Sequence, residues 1–189
     1  MTRGKGRSRR FRREEATKAM KKIVLVYGFL SGAVASALML VTMPFMDRLH
    51  GSQGLIVGYT GIILSGLLIF FGVRSYRENV GGGRITFGRG FKVGILIALI
   101  MSACYVATWQ LIYYKLDPGA CERVFGAEVQ HLKDSGAPQA EIEEAARNLE
   151  TTKKILANPL TNAAMTFIEP FPVALLMTLI SAAALRKTD

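Results

Sequence analysis

Four long apolar runs dominate the chain. The runs 23–46, 55–73 and 93–114 contain no charged residue, and the run 163–185 contains one, Glu169. A bilayer core about 30 Å thick needs roughly 20 helical residues at about 1.5 Å each, so every run is long enough to cross it. None shows the polar stripe of a soluble core helix or the short alternating pattern of a β-barrel strand. The pattern therefore predicts four transmembrane helices.

The segment 115–162 is the one long stretch between these runs with an aqueous composition. Asp117-Pro118 is typical of a helix start, and Gly136 is typical of a helix end. The expected fold class is all-α: a polytopic membrane protein with four transmembrane helices and a short extracytoplasmic helical hairpin between the third and fourth. The two hairpin helices are predicted over 118–134 and 138–157.

Basic residues set the predicted orientation. The chain carries 24 Lys and Arg against 14 Asp and Glu, a net charge of +10, yet 50% of its residues are hydrophobic and its mean hydropathy is +0.28. This combination excludes a disordered basic protein and an ordinary nucleic-acid-binding domain. Seventeen of the Lys and Arg fall in 1–22, 74–92 and 186–189, and seven fall in 47–54 and 115–162. Cytoplasmic segments are enriched in Lys and Arg, so we expect both termini in the cytoplasm.

The basic segment 1–22 is interpreted as a cytoplasmic tail that is disordered in part, ahead of a membrane domain over 23–187. Two further roles stay open for it, attraction to anionic lipid headgroups and nucleic-acid binding. The second is disfavoured because only Phe11 could stack on a base. We therefore expect the lipid bilayer and anionic headgroups, and no nucleic acid, as partners.

Two features bear on where the mature chain begins. Met20 is followed by two lysines and an apolar run, so it is an alternative start to Met1. Ala35-Ser36-Ala37 has the form of a signal-peptide cleavage site. The run continues apolar beyond that site, which disfavours cleavage.

Small residues recur at every fourth position in the first two helices. Such stripes allow close backbone approach in lipid, where no hydrophobic drive brings helices together. The short link 47–54 makes these helices antiparallel neighbours, so we predict that the stripes pack them against each other. Homodimerisation through one stripe is the alternative. The stripe residues are Gly28, Gly32 and Ser36 in the first helix, and Gly54, Gly58, Gly61 and Ser65 in the second.

Glu169 is the one acidic residue inside a predicted span. A carboxylate in hydrocarbon is costly, which makes it a candidate functional residue. Pro170 and Pro172 remove two backbone donors, so we predict a kink or a restart of the helix there. A carboxylate beside a broken helix is one way in which transporters form an ion site. The alternative is a structural glutamate near the outer interface, within reach of headgroups or of Lys153.

The loop 74–92 is rich in glycine and in basic residues. Gly81-Gly82-Gly83 is not followed by Gly-Lys-Ser/Thr, so the loop does not predict a nucleotide site. We expect the loop to contact lipid phosphates, with Ile85 and Phe87 dipping into the interface. Its basic residues are Arg74, Arg77, Arg84, Arg89 and Lys92.

Several short motifs follow one another in a particular order and spacing. They are KKI at 21–23, YGFLSG at 27–32, FFGVRSYR at 70–77, ITF at 85–87, GFKVG at 90–94, EPFPV at 169–173 and RK at 186–187. Together they resemble the bacterial four-helix integral membrane family called domain of unknown function 4199, over about residues 21–187. The resemblance implies four spans and a bacterial inner membrane. It implies no activity, ligand or catalytic residue.

The remaining polar residues form no recognisable catalytic set. Two cysteines exclude a disulfide scaffold and a Cys-rich zinc site. His50 and His131 are expected outside the membrane, and His131 with Glu128 and Asp134 forms only a weak partial metal cluster, so we expect no metal and no cofactor. We predict a non-enzymatic structural or accessory membrane component, with a second copy or another membrane protein as partner. A small oligomeric transporter or channel that uses Glu169 is the alternative.

Overall fold

Helices make up nearly all of the described chain. A computed structural model describes residues 3–49 and 52–188, without the side chains of 3–13, 47, 52 and 121. The described residues contain no β-strand, which confirms the all-α class. The elements are α1 (Arg3–Thr42), a 3₁₀ turn (Met43–Arg48), α2 (Ser52–Asn79), α3 (Phe87–Leu111), a π turn (Ile112–Leu116), α4 (Ala120–Asp134), α5 (Gln139–Ala157), α6 (Pro159–Ile168) and α7 (Pro170–Ala184).

Four helical segments are long and apolar enough to cross a membrane, as the sequence predicted. They are Glu14–Met46, Gln53–Asn79, Phe87–Leu116 and Pro159–Ala184. Large apolar side chains cover their outer surfaces: Phe29, Leu55 and Leu176 are 59%, 64% and 56% exposed. Apolar surface of this extent suits contact with lipid rather than with water.

The basic segment at the start of the chain joins the first helix. The sequence predicted partial disorder within 1–22, whereas α1 begins at Arg3. Lys and Arg are good helix formers, and extending an existing helix needs no new nucleus. The boundary of the tail at residue 22 stays a prediction.

The four spans form a closed bundle around one core. Helix α1 packs against α2 and α3, and α7 packs against the same two helices from the opposite side. Ile69, Val73, Val93 and Ile97 at the centre are fully buried. The end of the bundle that carries α4 and α5 is called the hairpin end. The opposite end, with the loop 80–86 between α2 and α3, is called the loop end.

The small-residue stripe of α1 faces α3, and the prediction that it packs on α2 was wrong. A methyl group at Gly32 would lie 2.6 Å from Cys104 Cβ, and one at Gly28 would lie 2.8 Å from Ile100 Cβ. The Ser36 and Thr108 hydroxyls are hydrogen-bonded at 2.7 Å. A stripe defines which face of a helix is flat but not which neighbour covers it, and here α3 does so within the same chain.

The stripe of α2 is divided between two environments. Gly61 and Ser65 face α1: a methyl group at Gly61 would lie 3.6 Å from Leu38 Cβ, and the Ser31 hydroxyl donates to the Ser65 carbonyl at 2.6 Å. Gly54 and Gly58, nearer the hairpin end, face a cavity, which Gly61 also borders. Only half of this stripe therefore serves helix packing.

The loop end is fastened to the C-terminal segment by backbone hydrogen bonds. The Ile85 N–H donates to the Lys187 carbonyl, and the Lys187 N–H donates to the Ile85 carbonyl, both at 3.0 Å. Ile85 is only 3% exposed, so the expectation that it dips into the interface was wrong; it packs in the core with Leu185. Phe87 is 40% exposed.

The hairpin end is built from two amphipathic helices. Helices α4 and α5 pack against each other, and Gly136, with φ +69°, turns the chain between them. Lys153 on α5 lies 3.0 Å from the Glu122 carboxylate on α4, and this hydrogen bond raises the pKa of the Lys153 ammonium. The expected cap at Asp117 was wrong: α4 begins after Gly119, and the Asp117 carboxylate pairs with Arg123.

Candidate functional site

A large cavity occupies the hairpin-end half of the bundle. Its volume is about 890 Å³. The ends of α1 and α2 form one side, the ends of α3 and α6 form the other, and α4 and α5 lie across it. Ligand pockets in proteins commonly measure roughly 300–1,000 Å³. Most of its walls are aliphatic, methionine or aromatic side chains, including Leu38, Met39, Met43, Met46, Leu64, Ile155 and Met165.

Glu169 lies against this cavity, at the junction of α6 and α7. Tyr105 of α3 lines the same cavity. Tyr105 is 8% exposed, so the phenol is held in the bundle core. On the cavity side, a methyl group at Gly58 would lie 4.0 Å from Glu169 Oε1, with no closer neighbour. The carboxylate therefore borders the cavity on the side of Gly58.

Pro170 sets the helix junction at which the Glu169 carboxylate lies. Helix α6 ends at Ile168 and α7 begins at Pro170, as expected for residues that lack an N–H and whose rings clash with the preceding turn. Glu169 keeps α-region angles, φ −69° and ψ −59°, so no loop separates the two helices. Pro170 offers no N–H to the carbonyl of Thr166 four residues earlier, and Thr166 also lines the cavity.

Hydrogen bonds fasten the outer part of α3 to the start of α6. The Trp109 indole N–H donates to the Asn162 side-chain oxygen at 3.0 Å, and the Asn162 amide donates to the Leu156 carbonyl at 3.1 Å. Asn162 is fully buried. The Tyr114 hydroxyl donates to the same Leu156 carbonyl at 3.1 Å. Trp109 is thereby fixed as part of the cavity wall.

Tyr105 and Asn162 are the site residues that sequence reasoning missed. Tyr105 lies in the middle of the apolar run 93–114 and Asn162 directly precedes the run 163–185, and a single uncharged polar residue carries no signal in either place. Tyr105 and Trp109 are four residues apart on α3 and so share one helical face. That spacing, together with Glu169 on the last span, was the available hint.

Two further sequence-based alternatives were a contact of Glu169 with Lys153 and a metal site around His131. Glu169 makes no ion pair with Lys153, whose ammonium is bound to Glu122 and Glu150. Among the residues that the structure describes, no group of three or more His, Cys, Asp or Glu side chains could hold a metal ion. His50 and Met1 lie outside the described residues, so their predictions have no structural counterpart.

The basic residues of 74–92 all gather at the loop end. Arg77 is paired with Glu78 at 2.6 Å, and its side chain is 22% exposed. The others lie on the surface, and the Arg89 N–H donates to the Thr86 side chain that caps α3. The exposed members are Arg74, Arg84, Arg89 and Lys92.

The fold and the site together define a multi-pass helical protein of membrane type, a four-helix bundle with an acid-bearing apolar cavity. Residues 26–187 match the family described as "Protein of unknown function (DUF4199)". Because the match covers most of the chain, the chain belongs to this family, and the resemblance of its motifs is confirmed. No curated protein and no solved structure matches the chain.

Proposed function

We propose that this protein is a non-enzymatic accessory component of a bacterial cytoplasmic membrane that holds a lipid-soluble small molecule in its hairpin-end cavity. The observation that carries this proposal is the cavity of about 890 Å³, lined mainly by apolar side chains and bordered by Glu169 and Tyr105. Few polar groups at fixed positions in an apolar pocket are typical of sites that orient a small molecule.

The orientation of the chain is part of the proposal. Both termini and the loop end face the cytoplasm, and the α4–α5 hairpin faces the opposite side. The asymmetric distribution of Lys and Arg supports this assignment. Reporter fusions at each terminus test it: a cytoplasm-active reporter works at both ends. A periplasm-active reporter that works at either end contradicts it.

Binding is testable through the chain's one tryptophan, Trp109, which lines the cavity. In lipid nanodiscs, the neutral apolar fluorophore N-phenyl-1-naphthylamine gives saturable energy transfer from Trp109. Gly58→Leu abolishes the saturable part, because the new side chain points into open cavity space beside Glu169. Gly126→Leu is the matched control, since a side chain there meets nothing within 4 Å and the position lies outside the cavity lining. Equal saturable transfer in both variants overturns the proposal.

Transport is a second candidate function, favoured by the position of Glu169 between two consecutive helices. Broken helices with polar groups at the break form substrate and ion sites in transporters. A four-helix chain with one such carboxylate would work as an oligomer. Crosslinking in native membranes that yields a discrete homo-oligomer, with proton- or cation-dependent flux in liposomes that Glu169→Gln removes, supports transport. A stable heteromeric partner without flux supports the accessory role.

A further inference from the structure

The cavity reaches the outer surface of the bundle between α2 and α6. Helix α2 packs against α1, α3 and α7, whereas α6 packs against α3, α5 and α7. Within the described residues, no extended contact joins α2 to α6. Leu55 and Ile56 on α2 and Met165 on α6 line the cavity, yet they are 64%, 63% and 51% exposed. The gap between α2 and α6 is therefore a side opening of the cavity.

The side opening lies on the surface that suits contact with lipid. Helices α2 and α6 both belong to segments that are long and apolar enough to cross a membrane. Leu64 on α2 and Phe125 on α4 also line the cavity while remaining exposed. Apolar side chains thus surround the opening, and hydrocarbon rather than water is the medium that suits them.

The cavity is elongated along the bundle. Its lining on α2 runs from Gly54 to Leu64, which corresponds to about 15 Å of helix at about 1.5 Å per residue. A bilayer core is about 30 Å thick, so the acyl chains of one leaflet occupy about half of that depth. The cavity is therefore about as long as the acyl chains of the leaflet beside it.

The walls suit a flexible apolar chain. Met39, Met43, Met46 and Met165 all line the cavity. Methionine side chains are unbranched and adapt to irregular shapes. An empty space against such walls forfeits dispersion contacts, and water finds few hydrogen-bond partners there. Hydrocarbon that enters through the side opening restores the missing contacts.

We propose that the occupant is one acyl chain of a bilayer lipid, which enters sideways between α2 and α6. The headgroup stays in the hairpin-side leaflet, and only the tail lies inside the protein. This inference rests on the proposed function, because it names the ligand class of the same cavity and its route of entry. Water and a compact aromatic guest are the competing occupants.

Phospholipid with bromine atoms on its acyl chains tests the inference, because bromine quenches tryptophan emission on contact. Trp109, the chain's one tryptophan, lines the cavity. In nanodiscs of brominated phosphatidylcholine, we expect strong quenching in the wild type and in the control Gly126→Leu. Gly58→Leu loses most of this quenching, because its side chain takes up space in the cavity.

A second cavity-filling variant and a melting curve guard against misfolding. Gly54 also lines the cavity, and a methyl group there meets only the flexible end of Met46, at 3.5 Å. We expect Gly54→Leu to lose quenching as Gly58→Leu does. Contact of Trp109 with lipid outside the cavity is common to all variants and cancels in the comparison.

The water-soluble quencher acrylamide separates lipid from water as the occupant. An acyl chain in the cavity excludes acrylamide, so we expect equal acrylamide quenching in the wild type and in Gly58→Leu. Stronger acrylamide quenching of the wild type shows that the cavity holds water, and it overturns the inference.

The outcomes separate the two proposals. Equal quenching by brominated lipid in the wild type and in both cavity-filling variants overturns the acyl-chain inference. Saturable energy transfer to N-phenyl-1-naphthylamine that Gly58→Leu abolishes then leaves the proposed function standing. If neither signal depends on Gly58, both proposals are overturned.

Discussion

Single glycines determine how closely α1 and α3 approach. At Gly32 a methyl group would lie 2.6 Å from Cys104 Cβ, a distance that forces the two helices apart. Overpacking of this kind costs about 1–3 kcal/mol. We expect Gly32→Ala to lower the free energy of unfolding by that amount, measured by circular dichroism during denaturation in mild detergent.

A second glycine in a helix interior is the control for this prediction. A methyl group at Gly126 in α4 meets nothing within 4 Å. Replacing an unhindered helical glycine by alanine stabilises by about 0.5–1 kcal/mol. If Gly32→Ala and Gly126→Ala both raise the free energy of unfolding, helix propensity, and not the contact with Cys104, determines the result.

Asn162 is the buried polar residue that holds the cavity wall. Its replacement by leucine leaves the Trp109 N–H without an acceptor, which costs about 1–3 kcal/mol, whereas the Leu156 carbonyl keeps its bond from Tyr114. We expect Asn162→Leu to lower the melting temperature and to shift the emission maximum of Trp109. Asn79→Leu, at an exposed asparagine, serves as the control, and an equal effect of both substitutions counts against this role.

At the residue scale, the sequence predicted charge and backbone chemistry better than contacts. Glu169 was found because a carboxylate is rare in an apolar run, and the break beside it follows from the two prolines. Tyr105 was not found, because a tyrosine in an apolar run cannot be told from a packing residue until the fold places it at a cavity. Which groups meet across the bundle depends on helix rotation, which no local pattern fixes.

At the element scale, the spans were predictable and their neighbours were not. A bilayer-length apolar run has few alternatives to a helix, so four spans follow from composition and length. The flat face of α1 was also visible in the sequence, yet its partner is α3 rather than α2. Spacing along one helix carries no information about which of three other helices covers it.

The C-terminal segment restrains the loop between α2 and α3 through backbone hydrogen bonds. A proline at position 187 removes the N–H that donates to the Ile85 carbonyl at 3.0 Å, whereas an alanine removes only the side chain. We expect Lys187→Pro to raise the rate of tryptic cleavage after the exposed Arg84 several-fold over Lys187→Ala. Equal cleavage rates in the two variants would show that the backbone pair does not restrain the loop.

At the scale of the whole molecule, the loop end is a basic surface. Arg84, Arg89 and Lys92 are exposed there, and each basic residue near an anionic bilayer contributes about 1 kcal/mol of attraction at low salt. We expect the protein to melt at a higher temperature in nanodiscs with anionic lipid than in zwitterionic ones. Replacing these three residues by glutamine reduces the difference, and added salt does the same.

Three exposed basic residues at the hairpin end provide the matched control. Lys133, Arg147 and Lys154 lie in a segment that also carries eight acidic residues, which offset their attraction to anionic lipid. Their triple replacement by glutamine should leave the dependence on anionic lipid nearly intact. If this triple variant reduces the difference in melting temperature between anionic and zwitterionic nanodiscs more than the loop-end variant does, the assignment of lipid contact to the loop end is contradicted.

The glycine contacts near the loop end limit how far the cavity extends along the bundle. Gly28 against Ile100 and Gly94 against Thr178 leave no space between the helices there, and Val93 and Ile97 beside them are fully buried. The cavity therefore does not continue to the loop end. In this conformation Glu169 borders a cavity in the hairpin-end half of the bundle only. A probe supplied to one face of oriented vesicles would show from which side of the membrane the carboxylate is reached.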